Sequence, residues 1–278
     1  MTSIDVDTTA DSSLKAKHRA MWASGDYPKV ATELIGDLGP TMVSAAGITK
    51  GQRVLDVAAG AGNASIPAAR TGASVIASDL TPELLEVGRA HALARGVELD
   101  WVEADAEALP FRDGEFDAVI SVVGAMFAPH HERTASELLR VTRPGGTIAM
   151  INWTPEGLIG QLFATMKPYA PPPPPGVQPP PLWGNESHVR GLFGEGIRDA
   201  RFERRTIMSP QELTTAVEFR EFFKTNYGPT IAVYGANESE QRTALDDDFE
   251  RFLTESDARV PGTARWAMEY LMFTARKA

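Results

Sequence analysis

Asp56-Val57-Ala58-Ala59-Gly60-Ala61-Gly62-Asn63 stands where a short apolar strand, Val54 to Val57, turns into a helix reaching Arg70. Glycine has no Cβ, so two glycines in the turn let a ligand lie directly on the backbone. A Gly-x-Gly turn alone serves several classes of nucleotide binder, and it also occurs as a plain tight turn. Asp79 narrows the reading, because it ends the next strand (Ser74 to Ser78) nineteen residues after Gly60. A carboxylate at that distance can accept hydrogen bonds from ribose hydroxyls.

The same alternation continues outward. Thr81-Pro82-Glu83 opens a helix that Gly96 closes, with a capping hydroxyl, proline at the first position and an acid in the first turn. Leu99 to Val102 and Ala118 to Val123 read as strands, Glu132 to Val141 as a helix, and Thr147 to Asn152 as a fifth strand after Pro144-Gly145-Gly146. Strands alternating with helices imply a mostly parallel sheet covered on both faces, an α/β Rossmann-like fold. Arg201 to Met208 and Trp266 to Thr274 add a sixth and a seventh strand. Residues 14–47 read as two amino-terminal helices broken at Gly25-Asp26-Tyr27-Pro28, and residues 1–13 as disordered.

After Trp153 the alternation stops. Pro171 to Pro175 and Pro179 to Pro181 are extended and semi-rigid, and Trp153, Phe163, Tyr169 and Trp183 around them suggest a lid or pocket wall more than a solvated linker. Ser209-Pro210-Gln211-Glu212 has the form of a capping box and predicts a helix to about Asn226, with another over Glu238 to Ser256. The expected division is an amino-terminal segment (1–47), a Rossmann-like core (48–153, 199–208 and 259–278) and helical, proline-rich cap insertions (154–198 and 209–258).

The charge pattern bears on which nucleotide fits. A diphosphate wants a helix amino terminus free of competing anions, whereas Asp56 places a carboxylate just before the loop and Ser65 stands where the dinucleotide fingerprint has its third glycine. S-adenosylmethionine has no phosphate but carries an ammonium and a sulfonium, which suit an acid and exposed carbonyls. With Ser78-Asp79-Leu80-Thr81-Pro82, Glu103-Ala104-Asp105-Ala106-Glu107-Ala108-Leu109-Pro110-Phe111, Phe116-Asp117-Ala118-Val119 and Arg140-Val141-Thr142-Arg143-Pro144-Gly145-Gly146, the chain resembles the class I S-adenosylmethionine-dependent methyltransferases. Over about Gly51 to Trp153 it is similar to the small-molecule branch that includes quinone-biosynthesis enzymes.

That resemblance implies roles. Asp56 and the backbone of Ala58, Ala59, Gly60 and Gly62 would hold the methionine end, and Asp79 the ribose. Leu80 would pack on adenine, Asp105 and Ala106 would read its amino edge, and Val122 would lie under the sulfonium. Ala58 stands where the family usually has glycine. Tyr27 would bond the methionine carboxylate, with Trp22 beside it in the segment that closes over the cofactor. For the acceptor, the implied pocket draws on Trp22, Trp153, Trp183, Phe219, Phe223 and Tyr227. Phe219 and Phe223, four apart on one helix, would equally suit core packing. If the acceptor is a hydroxyl, His130 is the first candidate for a general base, ahead of His131, which reads as solvated, and His18.

Composition sets the remaining bounds. A net charge of −10 over 278 residues gives little attraction for phosphate backbones or anionic lipids, and Arg201, Arg204 and Arg205 read as a solvated strand edge. With no cysteine there are no disulfides or thiolate metal sites, and no metal is expected. The expected partner is a small-molecule methyl acceptor, with no nucleic acid and no membrane, for a cytoplasmic monomer or homodimer. An NAD(P)-dependent oxidoreductase on the same architecture and a non-catalytic S-adenosylmethionine-binding sensor are the alternatives.

Overall fold

The computed structural model describes residues 8–278. Seven strands form one sheet: β1 (Arg53–Val57), β2 (Ser74–Asp79), β3 (Asp100–Glu103), β4 (Phe116–Val122), β5 (Thr142–Trp153), β6 (Ile197–Met208) and β7 (Ala267–Lys277), in the spatial order β3-β2-β1-β4-β5-β7-β6. The first five run parallel, with Asp56 opposite Ala77 on one side and Ile120 on the other. β7 lies antiparallel between β5 and β6. In β1 the four consecutive residues Val54 to Val57 are all buried, as a strand covered on both faces requires. Phe116, Ile120 and Leu55 are wholly shielded from water, each burial being worth roughly 1.5–3 kcal/mol.

Three amino-terminal helices, α1 (Thr8–Ala23), α2 (Tyr27–Glu33) and α3 (Leu38–Ala46), precede the sheet. α4 (Ser65–Arg70), α5 (Pro82–Ala94) and α6 (His131–Val141) are the crossovers. α7 (Leu158–Met166) and α8 (Glu186–Phe193) follow β5, while α9 (Ala216–Asn226), α10 (Gly228–Gly235) and α11 (Ser239–Glu255) lie between β6 and β7.

Several sequence expectations need correction. Residues 8–13 are helical, not disordered, as part of α1; residues 1–7 lie outside the described residues. The break at Gly25-Asp26 is real, but Tyr27 already belongs to α2, whose amide at Lys29 is capped by the Asp26 carboxylate, and a second break before Leu38 yields three helices. No helix starts at Ser209. Its hydroxyl accepts the Trp266 amide at 3.1 Å and its own amide donates to the Trp266 carbonyl, so it closes the stem between β6 and β7. α9 instead uses the capping box of Thr215 and Glu218 six residues on. The proline-rich stretch is a strap, tied by Gln178 to the Pro129 carbonyl and the His131 amide, and its prolines line neither cavity described below. Among the described residues no helix is long and apolar enough to cross a membrane.

Candidate active site

From β1 the chain builds outward through β2 and β3, and from β4 it builds the other way through β5, so topology reverses between β1 and β4. In such sheets a crevice opens beyond the carboxyl ends of the strands at the reversal. A cleft of about 670 Å³, open to solvent, lies there. Two of its lining residues, Ala58 after β1 and Val123 after β4, have φ of 55° and 50°. Left-handed backbone costs a residue with a Cβ roughly 1–2 kcal/mol, and a β-branched residue such as Val123 rarely adopts it. Such strain survives where surrounding structure enforces it, typically at functional sites.

Gly60, at φ 55°, shows why the loop needs glycine: a Cβ there would come within 2.9 Å of Tyr27 Cε1. Asp79 holds this loop. One carboxylate oxygen accepts the Gly60 amide and the other the Thr81 amide, both at 2.8 Å, and the side chain still lines the cleft. Asp56 lies beneath the loop, almost wholly buried, and does not line the cleft. Its Oδ2 accepts from Ser65 Oγ at 2.6 Å, while Oδ1 is buried without a partner. Burial pushes this carboxyl up to about 7, the Ser65 hydrogen bond opposing and Asp79 adding to the effect. Burial and the charges of Asp79 and Asp56 likewise raise the Tyr27 phenol, which therefore stays protonated and can only donate toward an anion.

α1 crosses the cleft. Asp11, Lys15, His18 and Trp22 are spaced four, three and four apart, one face of a helix, and the last three line the cleft. Lys15 Nζ lies 2.5 Å from Asp105, 3.0 Å from Glu107 and 3.1 Å from Asp11. Burial draws this ammonium's pKa down, but Asp105 and Glu107 outweigh it and hold the group charged. The carboxylates of Asp11 and Glu107 converge with His130, and the Lys15 ammonium supplies the positive charge among them. At the other end Trp22 packs edge-on against Tyr27, Phe127 and Tyr227, with ring centroids 5.5, 4.8 and 5.8 Å away.

Tyr27, Val123 and Phe127 are shared with a second, narrow chamber, closed down to the space of about one water molecule. Its other walls include Ile35, Trp153, Ile159, Phe223 and Tyr227, and none of its lining residues is charged.

The expected site residues thus divide. Tyr27, Ala58, Gly60, Asp79, Leu80, Asp105, Ala106 and Trp22 come together in the cleft; Trp153, Phe223 and Tyr227 wall the chamber. Val122 does not line the cleft whereas its neighbour Val123 does, the left-handed backbone at Val123 having left the strand. Ala59 donates its amide to the Ser78 carbonyl, and Gly62 packs on Trp101, where a Cβ would come within 2.7 Å; neither lines the cleft. Phe219 stacks on Phe223 and meets Trp266, and Trp183 lies between His131 and Phe193; both are fully buried core residues outside the two cavities. His130 turns from the cleft, its Nδ1 3.0 Å from Glu107 Oε2. His131 is not solvated but fully buried, with Nδ1 2.9 Å from His188 Nε2, and burial drives its pKa down to about 3. Sequence reasoning missed Lys15, Val123 and Phe127, and ranked His18 last although it alone of these three histidines lines the cleft. The four–three–four spacing on α1 was the signal available.

The donor set fits an adenosyl group carrying positive charge. Asp79 and, beneath it, Asp56 make the floor acidic, Asp56 Oδ1 is an orphaned acceptor, and Lys15 is committed to three carboxylates. A diphosphate would meet repulsion here.

Comparison with known proteins agrees. The family described as a methyltransferase domain matches residues 55–150. An uncharacterised protein of Mycobacterium tuberculosis is 47% identical over 274 residues, covering 99% of each chain. A demethylmenaquinone methyltransferase of Renibacterium salmoninarum is 41% identical over 113 residues, 41% of this chain and 46% of that one. A putative methyltransferase from Bacillus halodurans superposes with a TM-score of 0.59 at 21% identity, over 85% of this chain and 97% of its own.

Proposed function

The chain belongs to the class I S-adenosylmethionine-dependent methyltransferases, and we propose that within them it methylates a small, uncharged, apolar or aromatic metabolite. The observation that carries this reading is the lining of the narrow chamber, which has no charged residue and adjoins the cleft through Tyr27, Val123 and Phe127, so that an acceptor beside the cofactor would meet an apolar, aromatic wall. A charged acceptor would be desolvated there without a partner, at a cost of several kcal/mol.

S-adenosylmethionine, when bound, supplies a methyl group on a positively charged sulfur. The chain's own residues bind and orient. Asp79 keeps lone pairs free for ribose hydroxyls while pinning Gly60 and Thr81. Asp105 and the Ala106 backbone offer an edge for the adenine amino group, and the protonated Tyr27 hydroxyl offers a donor for the methionine carboxylate. Trp22, held against Tyr27, Phe127 and Tyr227, gives the cleft a fixed aromatic wall, and holding the reactants in a fixed geometry is where most of the acceleration of such a displacement arises.

Titration calorimetry with S-adenosylhomocysteine and NADH, followed by methyl transfer to 1,4-naphthohydroquinone, catechol, indole and ethanolamine, tests the reading. S-adenosylhomocysteine is expected to bind and an aromatic acceptor to be methylated. Binding of NADH alone, or methylation of ethanolamine in preference to the aromatics, refutes it.

A further inference from the structure

His18 stands out among the histidines near the cleft. His130 is engaged by Glu107 and His131 by His188, whereas His18 has no hydrogen-bond partner among the described residues. It lines the cleft one helical turn from Lys15 and one from Trp22, between the adenine end and the chamber mouth. The chamber's own lining contains no carboxylate, histidine or lysine, so a proton leaving an acceptor held against it has no base on that side.

We infer that His18 is the proton acceptor of the reaction, presented to the acceptor by α1 across the chamber mouth; this rests on the methyl-transfer reading above. As the bond from sulfur to methyl breaks and the new bond from methyl to the acceptor forms, the acceptor's hydroxyl proton passes to an imidazole nitrogen of His18. The sulfur leaves as a neutral thioether and the single positive charge ends on His18. The titratable groups that share the cleft with it are Lys15 on α1, Asp105 after β3, and Asp79 and Tyr27, and Glu107 lies near enough for its charge to act on the ring. Burial lowers the His18 pKa, Glu107 opposing and Lys15 adding, so the ring is neutral and able to take a proton at neutral pH.

Nuclear magnetic resonance of the intact protein tests the placement without turnover. The His18 ring signal, assigned with His18→Gln or through its backbone connectivity, is titrated with S-adenosylhomocysteine bound and again with S-adenosylmethionine bound. If His18 faces the transfer centre, the added positive charge lowers its pKa by about 0.5 or more, as two like charges within ~10 Å require. Equal pKa values in the two complexes overturn the inference while leaving cofactor binding intact. Failure of both ligands to bind overturns the underlying reading and the inference with it. With 1,4-naphthohydroquinone as acceptor, His18→Gln is expected to lower kcat at least tenfold with little change in KM and to abolish the acidic limb of the pH profile. A retained limb overturns the role, and without wild-type turnover the resonance comparison decides.

Discussion

Replacing Asp56 by asparagine should make the free protein more stable at pH 8 and no more stable at pH 5. Asp56 Oδ2 keeps its bond to Ser65 in either variant, and the buried Oδ1 has no partner to lose. Burial raises the wild-type carboxyl from 3.8 to about 7, so the folded state holds a proton that the unfolded state releases. The sign follows: stability from this group is fully present below pH 4 and is lost as pH rises to about 7. At 1.36 kcal/mol per pH step the loss is about 4 kcal/mol above pH 7. The new amide N–H₂, buried without an acceptor, offsets about 1–2 kcal/mol of that. A net gain of about 2 kcal/mol corresponds to a Tm rise of roughly 5 °C at pH 8 for a chain of this size. Scanning calorimetry of both proteins at pH 5 and 8 measures the gap. A gap that does not widen with pH, or a variant less stable at both, refutes the claim that Asp56 is charged against its environment. The same substitution should weaken S-adenosylmethionine binding about tenfold, because the orphaned anion suits a cationic ligand.

Asp79→Asn should weaken S-adenosylhomocysteine binding by about 1–3 kcal/mol, ten- to a hundredfold by calorimetry, since its amide opposes the donors that Asp79 accepts from; unchanged affinity would mean the ribose lies elsewhere. Gly60→Ala combines left-handed backbone with a 2.9 Å approach to Tyr27, and should cost about 1–2 kcal/mol in chemical denaturation as well as cofactor affinity. Lys15→Met leaves three carboxylates facing one another, so limited proteolysis within α1 should quicken about fivefold, an effect that 0.5 M salt should partly reproduce in the wild type.

The crossover units were legible because each depends on short-range patterns: an apolar run, a turn glycine, a capped helix. The pairing of Asp79 with the glycine turn was legible for the same reason, since Gly60 and Asp79 are fixed by two neighbouring strands. What escaped depends on distant pairings. Ser209 looks like a helix cap until its hydroxyl is seen to serve Trp266, 57 positions away. Phe219 and Phe223 share a face of α9, and only the arrival of α2 and β5 decides that Phe223 borders the chamber while Phe219 stays in the core. His130 and His131 are adjacent in sequence yet held by Glu107 and His188, partners no local pattern reveals. That Val123 and not Val122 lines the cleft depends on the left-handed backbone after the strand's last residue, which is equally hidden from local pattern.

The excursion carrying α9, α10 and α11 leaves β6 at Met208 and returns to β7 at Ala267, two residues that face each other across the ladder. A detour whose ends already touch adds little closure entropy however long it grows, and its length can change without pulling on either strand. Divergence can therefore rewrite Phe223 and Tyr227 as a block, trading one preference for another, while the glycine turn and Asp79, carried by β1 and β2, keep their spacing.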